Sequence, residues 1–384
     1  MTEASETAVA PRVDAAEIAA RQARARRLIA AAGLDGILVT QKYNYWYLTG
    51  HTSREFDKMM RPTLCLVPAS GAVIPVVYAQ QAKAAARLSA PATVLTYEDV
   101  PFPVPLIAEA LSAAGLGRGR IGMEFGEYER LGLSIGQLRE LEAAVPGVSL
   151  VDGDAVFAEL RLIKTPTEIA VIREACARSL AAWDRAVPAF RPGMTNADLK
   201  RILAAELSAG GSDFDIAGHV TVGNGVHGEA PYDPGQTVWA DFGGTLQGYQ
   251  ADVARRAVFG EPTRAHLDTH AAITAILEQE IAAIRPGIRA CDVARTVSDA
   301  LERAGYPPLG AKKRVGHGLG LSASEVPSLG LSDTTELRPG MVLTPEPRFN
   351  LSTGEKVHIE EVVSVTETGC ERLTEGAGTL AVIA

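Results

Sequence analysis

The chain has 384 residues, 47% of them hydrophobic and 22% charged, a composition that can bury a large core without covalent staples and is not that of a disordered chain. At ~150 residues per domain, this length predicts two domains. The net charge of -9 and the scarcity of Lys/Arg clusters argue against a nucleic-acid or anionic-membrane surface, both of which need a concentrated positive field, and leave a small molecule as the expected partner.

Residues 1–12 lack the basic start and apolar run of a signal peptide and read as a frayed tail. Asp14 to Ala32 carries apolar residues at helical spacing and is stopped by Gly33, after which Gly36 to Thr40 reads as a strand. Short apolar runs at Tyr45 to Leu48, Leu64 to Val67, Val73 to Tyr78 and Val94 to Tyr97 continue the strand pattern. Helical stretches at Val104 to Ala114 and Gly132 to Ala144 flank a further strand at Arg120 to Met123. This mixture predicts an α/β domain over residues 13–152, with the boundary in the Pro/Gly-bearing segment near Asp152. The second domain, 153–384, has a helix start at Thr165-Pro-Thr-Glu168 and helices over Pro166 to Phe190 and Asn196 to Ser208. A second helix pair is expected at Glu261 to Ile284 and Ala290 to Ala304. No stretch reaches ~18 uninterrupted apolar residues, so no transmembrane helix is expected. Cys65, Cys176, Cys291 and Cys370 are far apart and lack CxxC spacing; they read as free thiols of a reducing compartment, which places the protein in the cytoplasm.

The last third carries five candidate metal ligands: Asp241, Asp252, His317, Glu346 and Glu360. Four carboxylates and one imidazole are costly to bury unless a cation neutralises them, which suggests a two-metal hydrolytic centre. Thr237 to Asp252 reads as two apolar strands around a Gly-flanked turn. With the turn centred on Leu246 and Gln247, Asp241 and Asp252 fall directly opposite each other, ~4.5 to 5.5 Å apart at Cβ, where like charges repel without a cation. Downstream, Met341 to Glu346 and Lys356 to Glu360 flank Ser352-Thr353-Gly354, and a hairpin centred on Thr353 opposes Glu346 to Glu360. An isolated Asp pair in a hairpin is usually solvated, but Asp241 and Glu346 lie inside apolar runs. His317 sits in Gly316-His-Gly-Leu-Gly320, where glycines let the backbone approach a centre closely.

Val238-Trp-Ala-Asp-Phe-Gly, Gly248-Tyr-Gln-Ala-Asp252, Gly316-His-Gly-Leu-Gly320, Thr344-Pro-Glu346-Pro and His358-Ile-Glu360-Glu resemble, in order, the motifs of the pita-bread metallohydrolases, which include Xaa-Pro dipeptidases, aminopeptidase P and creatinase. Arg161-Leu-Ile-Lys164-Thr-Pro-Thr-Glu168-Ile and Tyr47-Leu-Thr-Gly50 extend the resemblance over nearly the whole chain. It implies an α/β N-terminal domain plus an α+β pita-bread catalytic domain of two pseudo-symmetric halves, with a curved antiparallel sheet covered by helices. It also implies two divalent ions per subunit, Mn2+ first and Co2+, Fe2+ or Zn2+ as alternatives. Asp241 would hold one, Asp252 and Glu360 would bridge both, and His317 and Glu346 would hold the other. Glu346 would take a proton as water attacks a carbonyl carbon, and His227 would help hold that carbonyl and the tetrahedral intermediate.

The chain departs from the family pattern in several places. Ser324, in Leu321-Ser-Ala-Ser324-Glu-Val-Pro327, stands where peptidase members carry a second histidine; Arg348 stands where Gly is frequent, and His358 where Arg is. The spacing from His227 to Asp241 is also shorter. All three substituted positions are expected to face substrate. Arg54 and Arg61 are candidate clamps for a substrate carboxylate, because in this family the N-terminal domain often reaches the site of a partner subunit in a homodimer. The expected activity is hydrolysis of an amide bond in a small carboxylated substrate, most simply an Xaa-Pro dipeptide. The alternatives are a family member that acts on a small metabolite, by C-N hydrolysis as in creatinase and ectoine hydrolase or C-S cleavage as in dimethylsulfoniopropionate lyases, and a catalytically silent binding module. The latter is disfavoured because all five ligands are kept.

Overall fold

Helices begin where the sequence supplies a cap. Thr165, Thr195 and Thr263 each accept from the backbone N–H three residues on and donate their own N–H to the side chains of Glu168, Asp198 and His266 respectively, so two orphan donors are satisfied at each start. A computed structural model describes residues 11–384 except 59–60, 90, 92, 99–102, 128, 214–218, 226–227 and 312; of 54, 57, 88 and 89 it describes the backbone alone. The predicted tail therefore lies outside the described residues, apart from Pro11 and Arg12; Pro11 accepts a bond from Gln247 Nε2 at 2.7 Å.

By contacts the chain divides into Val13–Arg161 and a second unit formed by Leu162–Ala384 with the residues before Val13. The first unit contains α1 (Ala15–Ala31), β1 (Gly36–Val39), α2 (Lys42–Thr49), β2 (Leu64–Pro68), β3 (Ile74–Tyr78), α3 (Ala82–Ser89), β4 (Leu95–Tyr97), α4 (Val104–Ala113), β5 (Arg120–Met123), α5 (Ile135–Ala144), β6 (Ser149–Asp152) and most of α6 (Asp154–Leu162). Its six-stranded mixed sheet has the order β4-β3-β2-β1-β5-β6, and Leu38, Leu64, Leu66, Val76, Ile107 and Ile121 lie in one buried cluster beneath it. Tyr45 to Leu48, expected as a strand, lies inside α2. Gln41 caps this helix by accepting from Tyr43 and Asn44 N–H, and Gly50 ends it in the left-handed region at φ 65°. The division falls one helix later than Asp152. Arg24 Nη2 bonds Glu159 O and Arg161 Nη1 bonds Asn44 Oδ1, both at 2.8 Å, and these hold α6 in the first unit.

The second unit runs α7 (Pro166–Ala186), α8 (Asn196–Ala209), β7 (His219–Gly223), β8 (Thr237–Gly243), β9 (Thr245–Leu246), β10 (Tyr249–Gln250) and β11 (Val253–Phe259). A second helix pair and a second set of strands follow: α9 (Arg264–Ala283), α10 (Ala290–Arg303), β12 (Arg314–Gly318), β13 (Glu325–Gly330), β14 (Val342–Leu343), β15 (Arg348–Asn350), β16 (Lys356–His358), β17 (Val363–Val365), β18 (Cys370–Arg372) and β19 (Leu380–Ile383). The strands form sheets of order β19-β11-β8-β7 and β13-β12-β14-β17-β18, so each helix pair is followed by its own sheet. All four cysteines are free, and no helix among the described residues is long and apolar enough to cross a membrane.

On β11, Arg256 is almost fully buried and lies 3.6 Å from Glu355 and 3.5 Å from His270 Nδ1. Burial, then the Arg256 charge, push the His270 imidazole down to about 4 from 6.5, against weak support from the Gly378 and Ala377 backbone. Between those values the unfolded chain binds the proton that the native imidazole refuses. Stability therefore rises with pH in this window, is fully present above 6.5 and is lost as pH falls through 4. Urea midpoints measured across that window should fall with acidity in the wild type and less steeply in His270→Gln; parallel curves would show that His270 does not titrate this way.

Candidate metal centre

Strand register brings the acidic residues together. The first hairpin turns on Gln247 (φ 51°) and Gly248 (φ 87°), two consecutive positive-φ positions that suit a two-residue hairpin loop. The turn is thus one residue later than Leu246-Gln247, and Asp241 opposes Ala254 instead of Asp252. Side chains alternate along a strand, so Asp252, two residues before Ala254, projects from the same face as Asp241 on the diagonal. On the other side, β7 pairs Thr221 with Asp241 and His219 with Gly243, which sets His219 on that face too.

The second hairpin keeps the expected register: Arg348 opposes His358, Phe349 opposes Val357 and Asn350 opposes Lys356. Continued by two residues, this register sets Glu346 against Glu360, with Arg348 and His358 on the same face. The hairpins meet at an isolated bridge between Ala254 and Glu360, with N–H to O distances of 3.4 and 3.2 Å. Asp241, Ala254, Glu360 and Glu346 therefore form one lateral row, and the small Ala254 side chain leaves a gap among three carboxylates. His317 enters this row from β12, where Thr344 N bonds His317 O at 2.9 Å and Glu346 N bonds Val315 O at 2.6 Å. A Cβ on Gly316 would lie 2.5 Å from Thr344 O, so glycine is needed for this approach.

The side chains converge. His219 Nε2 lies 3.0 Å from Asp241 Oδ1 and 2.7 Å from Asp252 Oδ1, and His317 Nε2 lies 3.6 Å from Asp252 Oδ2 and 3.8 Å from Glu346 Oε1. His317 Nδ1 lies 3.0 Å from Gly318 O; a proton on that nitrogen leaves the Nε2 lone pair facing the acids. His358 Nε2 is 3.5 Å from Asp241 Oδ2 and 3.9 Å from Glu346 Oε2. Arg348 Nη1 donates to Glu346 Oε2 at 2.7 Å, and Arg314 Nε lies 3.7 Å from Oε1.

Electrostatics follow from this crowding. Burial, then Asp252, Glu346 and Asp241, push the Glu360 carboxyl well above the usual range. Burial also acts to raise Asp241, but the bond with His219 and the nearby His358 outweigh it and hold this carboxyl far below its ordinary value. His219 is driven up to about 10: burial opposes its charge, and Asp252 and Asp241 overcome it. Among the described residues, Glu346 Oε1, Glu360 Oε1 and both ring nitrogens of His358 are buried without a hydrogen-bond partner. Such orphaned donors and acceptors, gathered with two aspartates and two further imidazoles, fit divalent cations.

Five of the residues singled out from sequence, Asp241, Asp252, His317, Glu346 and Glu360, come together, and so do Arg348 and His358. Ser324 is exposed and accepts from Arg314 Nη1 at 3.0 Å, which connects it to Glu346 through that arginine. Arg61, in the first unit, pairs with Glu55 at 3.3 Å and lies 4.1 Å over the Tyr78 ring. His227 and the Arg54 side chain lie outside the described residues. Sequence reasoning missed His219. Its signal is the alternating run His219-Val-Thr-Val-Gly223, whose register to Asp241 shows only once β7 is paired.

Mixed sheets backed by helix pairs, with a buried acid-imidazole cluster where two hairpins join, define a metal-dependent hydrolase of the pita-bread type. Residues 170–367 match the model of metallopeptidase family M24, and residues 21–163 match that of the creatinase/prolidase N-terminal domain. The chain is similar to the probable dipeptidase PepE of Mycobacterium tuberculosis, with 31% identity over 375 residues that cover 93% of this chain and 94% of that one. The crystal structure of dipeptidase PepE from Mycobacterium ulcerans superposes with a TM-score of 0.78 at 27% identity, covering 97% of this chain and 99% of that one. An Xaa-Pro dipeptidase from Bacillus anthracis shares the fold, with a TM-score of 0.82 at 22% identity over 95% of this chain and 99% of that one. The chain belongs to metallopeptidase family M24, and it is a hydrolase that uses divalent metal.

Replacing the buried Glu360 carboxyl by an amide takes one acid out of the crowded cluster and at the same time removes a cation donor. Metal-free Glu360→Gln should melt no lower than the wild type at pH 7, whereas added Mn2+ or Zn2+ should raise the wild-type melting temperature and leave the variant nearly unmoved. A variant that melts lower without metal yet keeps the full metal-dependent rise would remove Glu360 from the centre.

Proposed function

We propose that the protein is a dinuclear, cytoplasmic, homodimeric dipeptidase that cleaves the amide bond of a small carboxylated substrate, most simply an Xaa-Pro dipeptide. The observation that carries this reading is the single row of Asp241, Ala254, Glu360 and Glu346, with Asp252 and His317 closing on it. Full-length similarity to proteins named as dipeptidases favours it over the small-metabolite alternatives. Asp241, Asp252, His317, Glu346 and Glu360 would hold two divalent ions, with Mn2+ the starting candidate. Cations bound in such a set supply Lewis acidity, lowering the pKa of water and polarising a carbonyl.

Glu346 is assigned as the group that takes the proton from the attacking water. One of its oxygens is held by Arg348, and the other is buried without a hydrogen-bond partner among the described residues. Arg348, with Arg314 and Ser324 behind it, is assigned to the substrate carboxylate: a guanidinium meets a carboxylate through paired N–H donors, and these arginines are the cations beside Glu346. His227 is assigned to the substrate carbonyl, and Arg54 and Arg61 are assigned as clamps presented to a partner subunit.

The decisive experiment is proline release from a panel of Xaa-Pro dipeptides by protein carrying a measured metal load. Release is expected, and Glu346→Gln should lower kcat by roughly 10²- to 10⁴-fold. A metal-loaded wild type that releases no proline from any member would overturn the substrate class; full activity in Glu346→Gln would overturn the assignment of the base. Arg348→Gln should raise KM by roughly tenfold or more with a smaller change in kcat, whereas a loss confined to kcat would mean that Arg348 only orients Glu346.

A further inference from the structure

Two histidines that the five-ligand set leaves unused stand inside the same cluster. Three overlapping triads each place ligand atoms within 4.8 Å of one another: His219 with Asp241 and Asp252, His358 with Asp241 and Glu360, and His317 with Asp252 and Glu360. Each carboxylate of this ring belongs to two triads and each imidazole to one, so all three histidines stand in equivalent relation to the acids.

Geometry separates these two histidines from ordinary core residues. His358 is 0% exposed, both its ring nitrogens lack a hydrogen-bond partner among the described residues, and its edge is turned to Asp241. Burying an imidazole so is costly unless something within reach takes its lone pair. The Trp239 ring packs edge-on against it at 5.7 Å, on the face that β8 gives to Asp241. His219 approaches from β7, with Nε2 3.0 Å from Asp241 Oδ1 and 2.7 Å from Asp252 Oδ1, so the three ligand atoms converge. Both imidazoles are fixed by strand register: His219 faces Gly243, whose missing Cβ keeps that place open, and His358 faces Arg348 across β15.

We propose that His219 and His358 are ligands of the ion on Asp241, so that the metal pair is held by three imidazoles and not by His317 alone. This inference rests on the metal centre assigned above and sharpens its metal preference. With nitrogen donors on both ions, the set departs from a carboxylate-only half that suits Mn2+ and favours Zn2+, Co2+ or Fe2+.

The test uses the intact protein loaded with two equivalents of Zn2+. X-ray absorption counts imidazole scatterers around the metal and needs no substitution; three imidazoles per pair of zinc ions are expected, and a count of one would overturn the inference and make His219 and His358 counter-charges that withdraw when metal arrives. In parallel, His219→Ala and His358→Ala, each checked for native circular dichroism, are titrated with Zn2+ against a chelating dye. Each should weaken the tighter equivalent by more than about tenfold and narrow the preference for Zn2+ over Mn2+. Wild-type affinity in both folded variants would also overturn the inference. A wild-type protein that takes up no stoichiometric metal would defeat the metal-centre reading itself, an outcome distinct from two bound ions with a single imidazole.

Discussion

The bridge between Ala254 and Glu360 is the contact on which the rest of the site depends. It is two backbone hydrogen bonds long, and it sets one hairpin beside another that is far away in sequence, with 105 residues separating Arg255 from Glu360. Arg255 reinforces the join: its guanidinium donates to Glu360 O at 2.7 Å, to Glu361 Oε2 at 2.9 Å and to Glu375 O at 2.8 Å. The pair of Arg255 and Glu361 is buried, and its remaining lone pairs are occupied, since Ala377 N bonds Glu361 Oε1 at 2.7 Å. That is the circumstance in which a buried ion pair resists removal of either partner. Because side chains alternate, one correct bridge fixes which residues on both hairpins face the centre; a slip of one residue would turn every carboxylate away.

The acids so gathered would be unstable if all were charged and alone. Without metal, the crowding is eased in two ways: burial shifts the Glu360 carboxyl toward its neutral form, and His219 and Arg348 lie against Asp241, Asp252 and Glu346. The chain thus holds its acids close together before any divalent ion arrives. Such a centre keeps frustration where function needs it, while the cores on either side, such as the cluster of Ile273, Val293, Val297 and Leu343, are apolar and closed.

Much of this was legible in the sequence, and the exceptions have physical reasons. Thr353-Gly354 carried its own turn chemistry, so the register of Glu346 with Glu360 could be read directly. The first hairpin could not be read in this way: Gly243, Gly244 and Gly248 all offered turn positions, and Gln247, a non-glycine residue in the left-handed region, moved the turn by one. Tyr45 to Leu48 looked like a strand because aromatics favour strands, yet Gln41 and Gly50 supplied a cap and a stop, and nearly every face of the short helix is buried. His219 was invisible as a ligand because its chemistry comes from a cross-strand neighbour, a relation that spacing along the chain does not encode.

The last strand, β19, pairs in parallel with β11 from Arg256 to Phe259, just past Ala254. The outer support of the strand that carries the gap between the acids thus comes from beyond the second helix pair and the second set of strands. A chain emerging from the ribosome can complete its N-terminal sheet early from local elements, but pairings this distant in sequence form late and slowly. The metal centre consequently depends on a pairing that closes late, and a copy in which β19 is displaced loses the outer support of the strand that carries Ala254.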